Sequence, residues 1–190
     1  ISKMTTETKL KSPVEVSIVF PAYNEADALE VAVEKVTRAL NEFARSYEIV
    51  IAEDGSTDGT DKLADALVTK YSFVKHIHGE KRLGRGTALK NAFKKSSGEV
   101  LVYMDLDLAT DLKHLKPLVD AVEYEGYDFA TGSRMLSESK VERSRTRQIA
   151  SKSYSFLVRI MLGSKVRDYQ CGFKAFRREP LMRLLDEVTA

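Results

Sequence analysis

The chain has 190 residues, 43% hydrophobic and 31% charged, a composition ordinary for one globular α/β domain with a two-sided core. With 30 Lys and Arg against 28 Asp and Glu, the formal charge of +2 excludes bulk electrostatic attraction to nucleic acid or membrane. A single cysteine, Cys171, excludes an internal disulfide and a Cys-rich metal site, and no run reaches the ~18 apolar residues that span a bilayer.

Ile1-Ser2-Lys3 precedes Met4, and residues 1–13 read as an N-terminal tail. A β-branched run, Val14–Phe20, predicts the first strand and breaks at Pro21. Leu29, Ala32, Val33, Val36, Leu40 and Phe43 recur at helical spacing, with Asn24 as the expected cap. A second strand is expected at Glu48–Ala52, a helix over Asp58–Tyr71, a strand at Phe73–Ile77 and a helix over Gly86–Ser96. Glu99–Met104 reads as a strand buried on both faces, followed by a helix over about Leu112–Glu125, a strand at Phe129–Gly132 and a helix over Gln148–Leu162. The amphipathic pattern at Leu184-Leu185-Asp186-Glu187 runs to Ala190 without a cap, so a further C-terminal part is expected.

Short apolar strands alternating with helices predict a mostly parallel sheet with right-handed crossovers, and ligands then sit beyond the carboxyl ends of the strands. The polar clusters fall there: Tyr23-Asn24-Glu25, Glu53-Asp54, Asp105-Leu106-Asp107 and Ser133-Arg134. Two carboxylates one residue apart on extended backbone point to the same side. That pattern suits an oxygen-ligated Mg²⁺ or Mn²⁺ shared with phosphates, or else a plain polar turn. In Glu53-Asp54-Gly55-Ser56-Thr57-Asp58 the acids can accept hydrogen bonds from a ribose or base, and Thr57 or Asp58 can cap the next helix. Arg82-Leu83-Gly84-Arg85-Gly86 lacks the Gly-Lys-Ser/Thr of a nucleotide P-loop, but a helix start with two arginines can anchor a phosphate.

Basic residues concentrate late in the chain, at Lys140, Arg143, Arg145, Arg147 and Lys152, as a solvated surface or a phosphate-holding face. His76 and His78 alternate along a strand, but no third ligand has metal-site spacing, so no site is assigned to them. Cys171 reads as a packed small side chain, and His114 as a surface helix residue.

Together, Pro21-Ala22-Tyr23-Asn24-Glu25, Glu53-Asp54-Gly55-Ser56-Thr57-Asp58-Gly59, Gly84-Arg85-Gly86, Asp105-Leu106-Asp107 and Gly132-Ser133-Arg134 stand in the order and spacing of glycosyltransferase family 2. The stretch Asp168-Tyr169-Gln170-Cys171-Gly172-Phe173-Lys174-Ala175-Phe176-Arg177 resembles the branch that makes dolichyl-phosphate glucose and dolichyl-phosphate mannose. The resemblance implies a GT-A fold, a Rossmann-like three-layer α/β/α domain over residues 14–190. It implies inverting transfer of a hexose from UDP-glucose or GDP-mannose to a polyprenyl (dolichyl) phosphate, with peripheral contact at the cytoplasmic face of a membrane. By that resemblance Pro21, Ala22, Tyr23, Glu25, Ala52 and Asp54 surround base and ribose. Asp105, Leu106 and Asp107 meet the diphosphate, with Asp105 and Asp107 holding Mg²⁺ or Mn²⁺. Arg134 meets sugar or phosphates, Arg147 and Lys174 the acceptor phosphate, and Asp107, Arg134 and Asp168 complete the catalytic set.

Two positions depart from the family pattern. Ala109 stands where a polar side chain often serves as an additional metal ligand, which leaves water or Thr110 for that role, and Glu53 stands where aspartate is usual. A family-2 transferase with a sugar hydroxyl acceptor, in which Asp168 acts as base, and a non-catalytic nucleotide-sugar-binding module are the alternative readings.

Overall fold

The computed structural model describes residues 14–132 and 171–187. Five strands follow in the expected order: β1 (Val16–Ala22), β2 (Tyr47–Asp54), β3 (Val74–Gly79), β4 (Val100–Met104) and β5 (Phe129–Thr131). Between them run α1 (Ala26–Asn41), α2 (Thr60–Lys70), α3 (Arg85–Lys95) and α4 (Leu115–Glu123), the last preceded by a 3-10 turn at Leu112–His114. A sixth strand, β6 (Phe173–Arg177), leads into α5 (Arg178–Glu187). The N-terminal tail and the helix expected over Gln148–Leu162 lie outside the described residues.

One six-stranded sheet has the order β3-β2-β1-β4-β6-β5. β1, β2, β3 and β4 pair in parallel, while β6 runs antiparallel between β4 and β5. The expectation of a mostly parallel sheet therefore holds with one addition, because β6 was not recognised as a strand. Its apolar run is too short and too interrupted by Lys174 and Arg177 to signal a central strand.

Period-two alternation distributes the strand side chains between two cores. Val16, Ile18, Phe20, Ile49, Ile51, Val100, Val102, Phe173 and Ala175 pack under α1, α2 and α4. Val19, Val50, Ala52, Leu101 and Tyr103 pack under α3 and α5, where Phe93 meets Phe176 edge-on with ring centroids 5.8 Å apart. Fully apolar β4 lies between these layers, which fits its burial at every residue. Edge strand β3 carries Lys75, His76 and His78, polar groups that discourage pairing with another chain.

The amino-end edge of the sheet holds a buried polar knot instead of a cleft. Ser17 Oγ donates to Glu48 Oε1 at 2.7 Å and accepts from the Gly98 N–H at 2.8 Å. The Ser97 N–H also reaches Glu48 Oε1, and Lys75 Nζ stands 2.6 Å from Glu48 Oε2. Gly98 is needed there by space alone, since a Cβ would lie 2.6 Å from Ser17 N and Oγ. Arg178, at the start of α5, closes the knot by donating to the carbonyls of Gly98 and Ser96.

Burial pushes the Glu48 carboxyl up, but the bonds from Lys75, Ser17 and the Ser97 N–H outweigh it and hold the group below its ordinary value. A depressed carboxyl contributes stability above its unfolded value and loses it as pH falls through the folded one. Glu48→Gln is therefore expected to cost about 1–3 kcal/mol near neutral pH in urea unfolding. The gap to wild type should shrink below about pH 4, where the unfolded carboxyl itself takes up a proton.

Candidate active site

At the opposite edge, loops from the carboxyl ends of β1, β2 and β4 converge with the chain entering β6. The Asp105-Leu106-Asp107 turn follows β4 directly. Leu106 is 5% exposed and packs into the α1/α4 core, which anchors the turn and leaves its two aspartates outside. Tyr103 Oη donates to Asp105 Oδ1 at 2.7 Å, and the Asp105 N–H donates to the Gly172 carbonyl at 3.0 Å. Burial, then the hydrogen bond and charge of Asp105, push the Tyr103 phenol up, so it remains a donor. Asp107 Oδ1 accepts from the Ala109 N–H at 3.1 Å, closing a tight turn in which Leu108 has a φ of +47°. A pocket opens between the aspartates, lined by Met104, Leu108, Ala109, Thr110, Gly172 and Phe173.

Gly172 is the spatial lock of this turn. A Cβ built on it would overlap the Asp105 carboxylate. The β6 chain therefore presses on the aspartate that it also holds through its carbonyl.

Glu25 faces the same cleft. Burial raises its carboxyl first, and the charges of Asp107, Asp58 and Asp105 add to that rise. Arg85, in the first turn of α3, supplies a counter-charge, with Nη1 3.3 Å from Tyr103 Oη and 3.4 Å from Asp105 Oδ1. Across the cleft, the Arg82 guanidinium lies over the Tyr23 ring, 3.9 Å from its centroid.

The acidic motif after β2 is largely occupied with holding loops. Asp54 Oδ1 and Oδ2 accept the N–H groups of Leu83 and Gly84, each at 2.8 Å. Its backbone neighbour Gly55 has a φ of +71° and passes so close to the Arg82 loop that a Cβ would stand 2.7 Å from Arg82 N. Asp58 Oδ1 accepts from the Thr60 N–H at 3.0 Å and Oδ2 from the Ala26 N–H at 3.2 Å, so one carboxylate serves the starts of both α2 and α1. Hydrogen bonds from the Thr60 hydroxyl and from these N–H groups lower its pKa. Asn24 does not cap α1 as expected. With a φ of +56° its side chain turns away and accepts from the Thr57 N–H at 2.8 Å, while Thr60 Oγ1 takes the Glu25 N–H at 2.9 Å. The cap crosses between loops instead of staying local.

Of the expected donor-side residues, Pro21, Tyr23, Glu25, Asp54, Asp105 and Asp107 all meet at this edge. Ala22 and Leu106 reach it too, and Ala52 lies two residues before the end of β2; the side chains of all three are committed to the core. Lys174 lies half-buried on β6, opposite Tyr103 in register and on its face of the sheet. Arg134, Arg147 and Asp168 lie outside the described residues. The sequence pairs Arg85 with Arg82 as a phosphate anchor at a helix start, and the structure adds its contacts with Tyr103 and Asp105. Gly172 has no role assigned from the sequence, because a glycine in a motif carries no sign of its partner.

A family model described as "Glycosyl transferase family 2" matches residues 17–185. The chain belongs to glycosyltransferase family 2. It is 47% identical over 177 residues to glycosyltransferase AglD of Haloferax volcanii, covering 92% of this chain and 28% of that protein. It is 37% identical over 170 residues to the dolichol-phosphate mannosyltransferase of Pyrococcus furiosus, covering 87% of this chain and 47% of that one. The chain thus spans less than half the length of these two family-2 relatives. Among solved structures, the mannosyltransferase PcManGT of Pyrobaculum calidifontis, in complex with GDP-Man and Mn²⁺, superposes with a TM-score of 0.63 at 20% identity, covering 93% of this chain and 50% of that one. The domain has the GT-A fold, a mostly parallel six-stranded sheet with helices.

Replacing Gly172 with Ala forces Asp105 to move. For the metal-assisted nucleotide binding proposed below, the expected effect is a weakening of about tenfold or more, from the loss of well over 1 kcal/mol of positioning. Isothermal titration with UDP or GDP and Mn²⁺ measures it. Circular dichroism should remain that of wild type.

Proposed function

We propose that this domain transfers a hexose, with inversion, from a nucleotide sugar to the phosphate of a polyprenyl lipid of the dolichyl class. The observation that carries this is the Asp105/Asp107 pair, held at the mouth of a pocket by Tyr103, the Gly172 carbonyl and the Ala109 N–H. Support for the acceptor comes from the dolichol-phosphate relative, and support for a nucleotide-sugar donor from the GDP-Man complex of the structural neighbour.

The all-oxygen donor set of Asp105 and Asp107 fits Mg²⁺ or Mn²⁺. Asp105 and Asp107 would hold it. Such an ion, when bound, offsets the charge that develops on a departing nucleoside diphosphate. The chain's own residues do the rest. Tyr23 and the backbone of Ala22 and Ala52 flank the nucleoside, and Asp54 keeps the Leu83–Gly84 loop in place beside it. Arg85 reaches the diphosphate side from α3. Arg134 faces the sugar or phosphates, and Arg147 and Lys174 hold the acceptor phosphate. That phosphate is anionic at neutral pH, so alignment matters more than proton abstraction.

A lipid acceptor would bring the domain to a membrane surface by peripheral contact, and we propose the cytoplasmic face. No helix among the described residues is long and apolar enough to cross a membrane.

A panel of nucleotide sugars, UDP-glucose and GDP-mannose included, with Mg²⁺ or Mn²⁺ and a polyprenyl phosphate tests the proposal through labelled lipid product from the full-length protein. Transfer from one donor is expected, and failure with every donor would defeat the assignment. Asp105→Asn or Asp107→Asn should lower kcat/KM on the order of a hundredfold or more. Asp168→Asn should hurt a phosphate-acceptor enzyme less than a hydroxyl-acceptor one, which would lose its base, and little loss would sink the hydroxyl-acceptor reading.

A further inference from the structure

A second cluster of ligand-type side chains lies away from the aspartate pair, where β2 meets edge strand β3. In register, Glu53 stands opposite His78 and Ile51 opposite His76, so Glu53, His76 and His78 share one face. One ligand atom from each lies within 4.8 Å of the others. The Glu53 side chain is fully buried, Oε1 accepts the Ser56 N–H, and Oε2 is left toward the histidines. His78 Nδ1 lies 2.6 Å from Oε2, and His76 Nε2 lies 4.0 Å from it.

His76 is the informative member. Its side chain is 7% exposed, and Nδ1 stands 2.8 Å from Asp65 Oδ1 on α2. A carboxylate only accepts, so Nδ1 carries a proton, and in the neutral ring Nε2 then presents a lone pair. That buried Nε2 has no hydrogen-bond partner among the described residues. It faces a carboxylate oxygen across a gap too long for a hydrogen bond. Two lone pairs facing each other in a buried place call for a cation between them. Imidazole with its outer nitrogen on a carboxylate is also the usual setting of a metal-bound histidine.

We propose that Glu53 Oε2, His76 Nε2 and His78 Nδ1 form a transition-metal site of the zinc class, with Asp65 orienting His76 from outside. Two nitrogens and one oxygen suit Zn²⁺ and disfavour Mg²⁺, the reverse of the all-oxygen Asp105/Asp107 pair. Tetrahedral ligands at 2.0–2.1 Å stand roughly 3.4 Å apart, between the two observed separations, so closing one and opening the other takes roughly 1 Å or less. His78 is half exposed and provides both the entry path and the freedom to adjust. On binding, the His78 proton passes to its other ring nitrogen in the neutral tautomer. The fourth position faces solvent. Such an ion would tie the end of β2 to β3 beside Asp54, whose carboxylate holds the Leu83–Gly84 loop, and so stiffen the floor of the cleft.

Cobalt titration of the 190-residue chain tests this, because tetrahedral Co²⁺ absorbs strongly in the visible and Zn²⁺ displaces it. An Asp105→Asn/Asp107→Asn variant, which removes the cleft ligands, should still bind one equivalent with that absorption. In the same background His78→Ala, at an exposed position, should weaken binding at least tenfold, and Asp65→Asn about ten- to a hundredfold. No tetrahedral Co²⁺ in the Asp105→Asn/Asp107→Asn variant, or binding unchanged by both His78→Ala and Asp65→Asn, would overturn the proposal. Sugar transfer plays no part in this readout, so its failure and that of the transferase assignment are separable.

Discussion

The chain entering β6 passes so close to the end of β4 that the Gly172 backbone rests on the Asp105 carboxylate, and the cleft is organised around that contact. The approach is possible because β6 pairs antiparallel with β4 down its whole length, with Phe173 opposite Met104. Pairing brings the Gly172 carbonyl to the Asp105 N–H, and the missing Cβ makes room for the carboxylate. Tyr103 then fixes the carboxylate from the other side, and Leu106 roots the turn in the core. An acidic pair of this kind is costly to hold rigid, and three independent contacts share the task.

The same economy of space governs the β1 and β2 loops. Helices α1 and α2 begin side by side, and the loop before α2 caps both starts: Asp58 serves Ala26 and Thr60, while Thr60 serves Glu25. Motif residues that look like ligand contacts are thereby engaged in shaping the backbone. Asp54 is the clearest case, because both of its oxygens are spent on the Leu83 and Gly84 N–H groups. Its influence on a donor passes through the loop that it positions.

The two ends of the sheet use charge in opposite ways. At the amino edge Glu48 is fully matched by Ser17, Lys75 and Ser97, which makes it a structural tie. At the carboxyl edge Glu25, Asp105 and Asp107 outnumber Arg85, and the Glu25 carboxyl is raised by burial first and then by the charges of Asp107, Asp58 and Asp105. Matched charge stabilises a fold, whereas unmatched charge at a pocket is poised for a cation and a phosphate.

Strand and helix alternation, the buried character of β4 and the Asp105/Asp107 pair were all legible in the sequence, because each is a periodic signal within a few residues. Family membership was legible for a related reason: several short motifs in fixed order identify a fold even when each alone is weak. The antiparallel insertion of β6, the Gly172 contact with Asp105, the crossed caps of α1 and α2, and the meeting of Glu53 with His76 and His78 were decided only by the tertiary structure. Each joins residues far apart along the chain, and cross-strand register, unlike local periodicity, leaves no trace in the order of amino acids.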